Sequence, residues 1–371
     1  MKFRMAVIVC CLGGYAMLPT AIASADTSYS VTDLGLLPGT TSADADAIND
    51  NGQIVGTTYL SSGATQAFLY EGQGPMQKLS TPTASRGYAI NNSGQAVGDF
   101  NDRAAAFAAD GTPIPLNGLN PQFQSSAEAI NDSGEIVGAV FTNSSVLDVQ
   151  AYSYSGAGPA QLLGTLGGTY SNATGINNSG QIVGMSYLSD GERHAFLYNG
   201  SGPLQDLGTL GGPYSGAEDI NNHGQVVGFA AINGNDNHAF LYSGNGPIQD
   251  LGILPGESFG HAYAINDNGD IVGNSRDADL VWHAFIYTTG QMFDLNTLVG
   301  PAPSFWIEAA LGINNLGQIV GYGPDATGQE HALLLTPVPE PTTLALCIIG
   351  LLGVLAHFGQ RRTKVRSAVQ D

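Results

Sequence analysis

Apolar residues along this chain fall in short clusters, and Gly, Asn, Asp and Ser separate them. One period shows the layout: Ser215 to Ile220, Gln225 to Ala230, His238 to Tyr242 and Ile248 to Leu251 are four apolar-rich segments. None is long enough, or spaced at 3.6 residues, to make an amphipathic helix, so each is predicted to be a strand. The signal between the first two recurs seven times as Ile-Asn-Asn/Asp-x-Gly-Gln-Ile-Val-Gly or a close variant, beginning at Ile48, Ile90, Ile130, Ile176, Ile220, Ile265 and Ile313. The steps are 42, 40, 46, 44, 45 and 48 residues. Four strands in about 45 residues is the period of a propeller blade.

The recurring segment predicts a hairpin. In Asn49-Asp50-Asn51-Gly52, Asn opens a type I turn and accepts backbone hydrogen bonds through its side chain. The next two positions tolerate many residues, and glycine closes a three-residue loop at positive φ. The turn glycines are Gly52, Gly94, Gly134, Gly180, Gly224, Gly269 and Gly317. The third loop position varies, as Asn51, Ser93, Ser133, Ser179, His223, Asn268 and Leu316.

The third strand reads His-Ala-Phe-Leu-Tyr at 194–198 and 238–242 and His-Ala-Phe-Ile-Tyr at 283–287; the fourth begins Asp-Leu-Gly at Asp206 and Asp250. The chain starts on a fourth strand, Thr32 to Gly39, and ends its last repeat on a third, His331 to Leu335. Pairing the two closes a ring and removes the exposed edges. The expected fold is therefore all-β, a seven-bladed β-propeller of four-stranded blades over residues 29–337. An open solenoid would not explain the complementary ends.

The chain ends carry different signals. Lys2 and Arg4 precede the apolar run Met5 to Leu18 and the small residues up to Ala25. That is the layout of a signal peptide, residues 1–25, cleaved after Ala25 or Ala23. Residues 338–371 hold Val338-Pro339-Glu340-Pro341, an apolar stretch from Leu344 to Phe358, and Arg361, Arg362, Lys364 and Arg366. This reads as a single transmembrane helix, short for a full span, with its basic end on the cytoplasmic side.

Between residues 26 and 337 stand 29 acidic and five basic residues, 24 net negative charges. Such a surface repels phosphate backbones, so nucleic acid is excluded as a partner. The three cysteines, Cys10, Cys11 and Cys347, all lie in the terminal apolar runs, leaving no disulfide and no cysteine metal site between them.

Other chemistry has weak support. Around Asn49 an EF-hand register would need carboxylates where Ala47 and Thr58 stand. A looser calcium site near Asp44 and Asp46, or among Asp267, Asp270, Asp277 and Asp279, stays open. His194, His238, His283 and His331 occupy equivalent strand positions, too far apart to share one ion, and each is expected to be satisfied by neighbouring backbone. Gly-Thr-Leu-Gly-Gly at 164–168 and 208–212 lacks the following Lys-Ser/Thr of a phosphate loop. No catalytic residue, cofactor or metal is assigned. Carboxylates such as Glu218 and Asp219 leave a glycosidase or lyase open.

The His-Ala-Phe strands, the hairpins and the Asp-Leu-Gly segments resemble the bacterial HAF-repeat extracellular proteins over residues 31–336. Lys78-Leu79-Ser80 and Ala105-Ala106-Phe107 mark the greatest departure, in repeat two. The tail resembles the PEP-CTERM sorting signal. That resemblance implies an exosortase as processing partner, Pro339, Glu340 and Pro341 as its recognition element, and Arg361 and Arg362 as the basic end. It further implies a Gram-negative envelope or extracellular-matrix address and an association with exopolysaccharide and biofilm. The expected function is a non-enzymatic exported scaffold that binds polysaccharide or envelope proteins. The alternative is a propeller glycoside hydrolase or polysaccharide lyase acting on exopolysaccharide.

Overall fold

A computed structural model describes residues 28–79, 84–143, 148–234, 236–300 and 304–338. Signal peptide, Ala25, sorting motif, apolar tail and basic cluster lie outside the described residues. Within them the chain is strand throughout, apart from one helical turn at Leu295–Leu298, and no helix is long and apolar enough to cross a membrane.

The strands form five four-stranded sheets and one eight-stranded sheet. The larger one is two groups of four that touch at a single parallel pair, Val149 and Tyr170. Within each group the order follows the chain, antiparallel throughout. The fifth repeat runs Ser215–Ile220, Val226–Asn233, Asp236–Tyr242 and Gln249–Gly252. The sheet holding Ala105-Ala106-Phe107 keeps four strands despite its divergent motif, and the shortest strand, Gln77–Lys78, closes the sheet before it.

The last sheet is completed by the first strand of the chain. Ser28–Asp33 pairs with Glu330–Val338, Ser28 opposite Val338 and Asp33 opposite Leu333. The closing strand therefore lies earlier than Thr32 to Gly39. The physical reason is Gly35, held at φ 83° by its N–H bond to the Asp33 carboxylate at 2.8 Å, which ends the strand. Leu34 and Leu37 then turn inward against Val320, Ala332 and Leu334. The same Asp-Leu-Gly turn stops the fourth strands at Gly208 and Gly252, so Gly211-Gly212 is loop, whereas Gly167-Gly168 opens the next innermost strand.

Seven hydrophobic clusters, each spanning neighbouring sheets, hold the ring together. Phe68, Phe196, Phe240 and Phe285, the third-strand phenylalanines, are fully buried. Burying such a ring contributes roughly 2–3 kcal/mol each at about 25 cal/mol per Å². The arrangement is a closed β-propeller.

Candidate functional site

The innermost strands, Thr40–Ile48, Ser85–Ile90, Ser125–Ile130, Gly167–Ile176, Ser215–Ile220, Phe259–Ile265 and Ala309–Ile313, surround the axis. At one end each runs into its hairpin. Asn49 Oδ1 accepts from the backbone of Asn51 and Gln53, and the Gly52 N–H donates to the Asn49 carbonyl at 3.0 Å. All seven turn glycines sit at φ between 74° and 84°.

The hairpins also bond to one another. Each first-position asparagine donates its side-chain amide to the carbonyl of the next: Asn49 to Asn91, Asn91 to Asn131, Asn131 to Asn177, Asn177 to Asn221, Asn221 to Asn266, Asn266 to Asn314, and Asn314 back to Asn49. A second circuit lies beside it. The backbone N–H of Asp50 donates to Asn92 Oδ1, and the series continues through Asp132, Asn178, Asn222, Asp267 and Asn315 to Asp50 Oδ1. The expectation that the second loop position tolerates many residues is thus wrong: a side-chain oxygen is required there, and only Asn or Asp stands at it. Together the circuits line an axial cavity of about 170 Å³. Burial raises the Asp132 carboxyl, but donors from Asn92 and Asn178 outweigh it and hold the group below its ordinary value.

Further along the axis every innermost strand carries a β-bulge at the same place. The final glycine of Ile-Val-Gly lies opposite it. At Gly56 a Cβ would stand 2.1 Å from the Asp44 carbonyl, and at Gly98 1.9 Å from that of Arg86, so no larger residue fits. A bulge re-aims one side chain. Here the bulged residues are Asp46, Tyr88, Glu128, Thr174, Glu218, Tyr263 and Leu311, and the residue before each is Ala or Gly. Two residues before the bulge stand Asp44, Arg86, Ser126, Asn172, Gly216, His261 and Ala309. Of these the sequence had offered Asp44 and Asp46, as a loose calcium site, and Glu218, as a hydrolase or lyase carboxylate; the others were not expected. Their signal was a variable position, set between small residues, two before the invariant Ile-Asn.

These side chains form a polar and aromatic wall. Asp46 feels Glu128, and Glu128 feels Glu218, although these stand on alternate sheets, so they face a common axial space. Burial, then the charge of Asp44, pushes Asp46 well above the ordinary carboxylate range. Burial also raises Glu128, which the Ser126 hydroxyl at 2.5 Å partly offsets. Glu218 meets His261 at 2.9 Å, and His261 stacks on Tyr263 with centroids 4.3 Å apart. Tyr88 donates to Asp99 at 3.0 Å, and Arg86 pairs with Asp99 at 3.5 Å. Tyr59 donates to Asp44 at 2.8 Å. Beyond Asp44, burial and then the charges of Asp44 and Glu308 push Glu330 up to about 7. On the hairpin side, burial pushes Asp219 up to about 6, against the donors Ile265 N–H and Ile220 N–H.

The other sequence candidates are dispersed. The third-strand histidines are not satisfied by backbone: Nδ1 of His194, His238, His283 and His331 meets Asp206, Asp250, Asp294 and Asp33 at 2.8, 2.8, 3.2 and 3.1 Å. Strand pairing sets a fourth-strand carboxylate beside each one. Asp270 is buried on Thr288, Asp277 caps the turn through Asp279 and Val281, and Asp267 belongs to the axial circuit. Among the described residues no group of three or more His, Cys, Asp or Glu is placed to hold a metal.

No protein-family model matches the chain, and no curated protein matches it. Similar solved structures include a TolB-like protein of Agrobacterium tumefaciens at TM-score 0.48 and 14% identity, covering 71% of this chain and 94% of that one. The lectin BP39L of Burkholderia pseudomallei matches at TM-score 0.47 and 13% identity, covering 81% and 99%. XC5397 of Xanthomonas campestris, a gluconolactonase, matches at TM-score 0.45 and 12% identity, covering 85% and 94%.

Proposed function

We propose that this chain is an exported, non-enzymatic cell-surface or biofilm-matrix protein. It is a seven-bladed propeller, the eight-stranded sheet counting as two blades, and it binds polysaccharide or envelope proteins at the axial mouth opposite the asparagine circuits. A PEP-CTERM-like tail addresses it to an exosortase and to the Gram-negative envelope. The observation that carries the binding reading is the set of bulged residues. A rigid repeated frame turns seven side chains of five kinds toward one space, and carboxylates beside tyrosines suit a hydroxyl-rich ligand. The test is retention of extracted matrix polysaccharide or envelope protein by the exported protein, compared with an Asp46→Asn/Glu128→Gln variant. Equal retention by both, or none by either, would sink the assignment to this mouth.

One observation favours the hydrolase or lyase reading. Asp46, Glu128 and Glu218 face the same axial space, and burial raises the first two above the ordinary carboxylate range. Two carboxyl groups set across one space, with burial acting on them unequally, is the kind of pairing that glycosidic cleavage uses. Release of reducing ends from matrix polysaccharide, abolished by Glu128→Gln, would replace the non-enzymatic reading.

A further inference from the structure

Both tryptophans of the chain stand at one edge of the sheet that spans Phe259 to Asp294. The Trp306 indole N–H donates to the Trp282 carbonyl at 2.8 Å, and Trp306 remains 37% exposed. Arg276 pairs with Phe259 on one side and with Trp282 on the other, so the three side chains leave the same face of the sheet. Phe259 and Trp282 meet edge-on with centroids 5.5 Å apart, and the guanidinium lies over both rings, at 5.3 and 5.0 Å. Trp306 in turn stands edge-on to His283 at 4.9 Å, beside Glu257, whose Oε1 lies 3.7 Å from His283 Nδ1.

The arginine is in an unusual position for so acidic a protein. Arg86 takes a carboxylate partner, Asp99. Among the described residues Arg276 makes no ion pair, and its Nε is buried without a hydrogen-bond partner. Glu257 Oε2 is likewise buried and unpartnered, on a side chain 6% exposed. The arrangement recurs at Arg193, whose guanidinium lies 5.4 Å from Tyr214 and 5.3 Å from Phe229 with Nε again unpartnered. Stacking on aromatic rings fixes the guanidinium plane and keeps its terminal donors away from carboxylates. The exposed Trp306 indole, tied to Trp282 through its N–H, offers a ring for the C–H face of a pyranose, and the guanidinium stacked on Trp282 offers donors to its oxygens.

We propose that Trp282, Trp306 and Arg276 form a binding site for one neutral saccharide unit of a glycan, apart from the axial mouth. The net charge of the chain disfavours a polyanionic glycan. The assignment rests on the glycan-scaffold reading, and the two fail separately because tryptophan emission reports this edge alone.

The experiment titrates the exported protein with methyl glycosides of glucose, galactose, mannose and fucose, and with methyl glucuronide, while following tryptophan emission. At least one neutral glycoside should give a saturable change, weakened at least about tenfold in Arg276→Lys and unaltered in Glu128→Gln. Should Arg276→Lys fail to fold, by its thermal transition, Trp306→Phe takes its place and should weaken the response similarly. No saturable change up to about 50 mM of any glycoside would overturn the site, as would unchanged affinity in the Arg276 variant. A stronger response to the glucuronide would overturn its neutral specificity. Matrix polysaccharide retained at the mouth without an emission response would overturn this site and leave the scaffold reading standing.

Discussion

His331 Nδ1 lies 3.1 Å from Asp33 Oδ1, across 298 residues of chain. The same contact joins third and fourth strands locally at His194 and Asp206, 12 residues apart. A contact that stitches neighbouring strands elsewhere thus fastens the two ends of the propeller to each other. His331→Ala is expected to lower stability by about 1–2 kcal/mol, the worth of a charge-assisted hydrogen bond that is partly exposed. Deleting Ser28 to Asp33 should cost far more, since it reopens the last sheet. Urea unfolding midpoints of the two variants would check the order, and a deletion no worse than His331→Ala would refute ring closure by this strand.

Asn131 shows what the inner asparagine circuit contributes. Its amide donates to the Asn177 carbonyl, while its oxygen accepts from the Ser133 and Glu135 N–H groups. Asn131→Ala leaves these buried groups unpaired and should cost about 3 kcal/mol or more, at roughly 1–3 for each. Asn131→Asp keeps both accepted bonds but sets an oxygen against a carbonyl, so it too should destabilise. Chemical denaturation of both variants tests this; a neutral aspartate variant would show that the inter-sheet bond contributes little.

Stability should fall as pH rises. Asp219 and Glu330 titrate at about 6 and about 7 in the folded protein, and Asp46 and Glu128 are also raised. In the unfolded chain such groups titrate near 4. Between those values the folded state holds more protons, so its advantage is full below about pH 4 and is lost by about pH 7. The thermal midpoint at pH 5 is expected to exceed that at pH 8 by a few degrees, with a smaller gap in Asp46→Asn/Glu128→Gln. A midpoint that is flat or rises over this range contradicts the burial of these carboxylates.

The tail makes a separate prediction. In a host with an exosortase, the mature protein should end near Pro339, without Arg361 and Arg362. Intact-mass measurement on protein from the envelope decides it: a retained Arg361-Arg362 segment rules out processing there.

The hairpins were legible because Asn49 and Gly52 act on their own loop, within four residues. The circuits were half legible. Asn or Asp at all seven second positions was visible, but the partner of Asp50 is Asn92, brought there by the stacking of sheets rather than by local turn chemistry. The histidine clasp was missed because His194 and Asp206 meet only once the register is set, and that register shifts between Ala195 and Phe196. Asp46, Glu128 and Glu218 were least legible. Each is an ordinary acidic residue in its own strand and gains meaning only from residues that ring closure sets across the axis.

Around the outer circuit the order is Asp50, Asn92, Asp132, Asn178, Asn222, Asp267 and Asn315, so no two carboxylates are adjacent. A closed circuit with an odd number of members cannot alternate perfectly, and the mismatch is lodged at Asn178 and Asn222. Circular permutation would only relabel that defect, whereas gaining or losing a single repeat would change its parity and permit strict alternation. The rim therefore carries a record of repeat number in its charge sequence, and one azimuth on it differs from all the others.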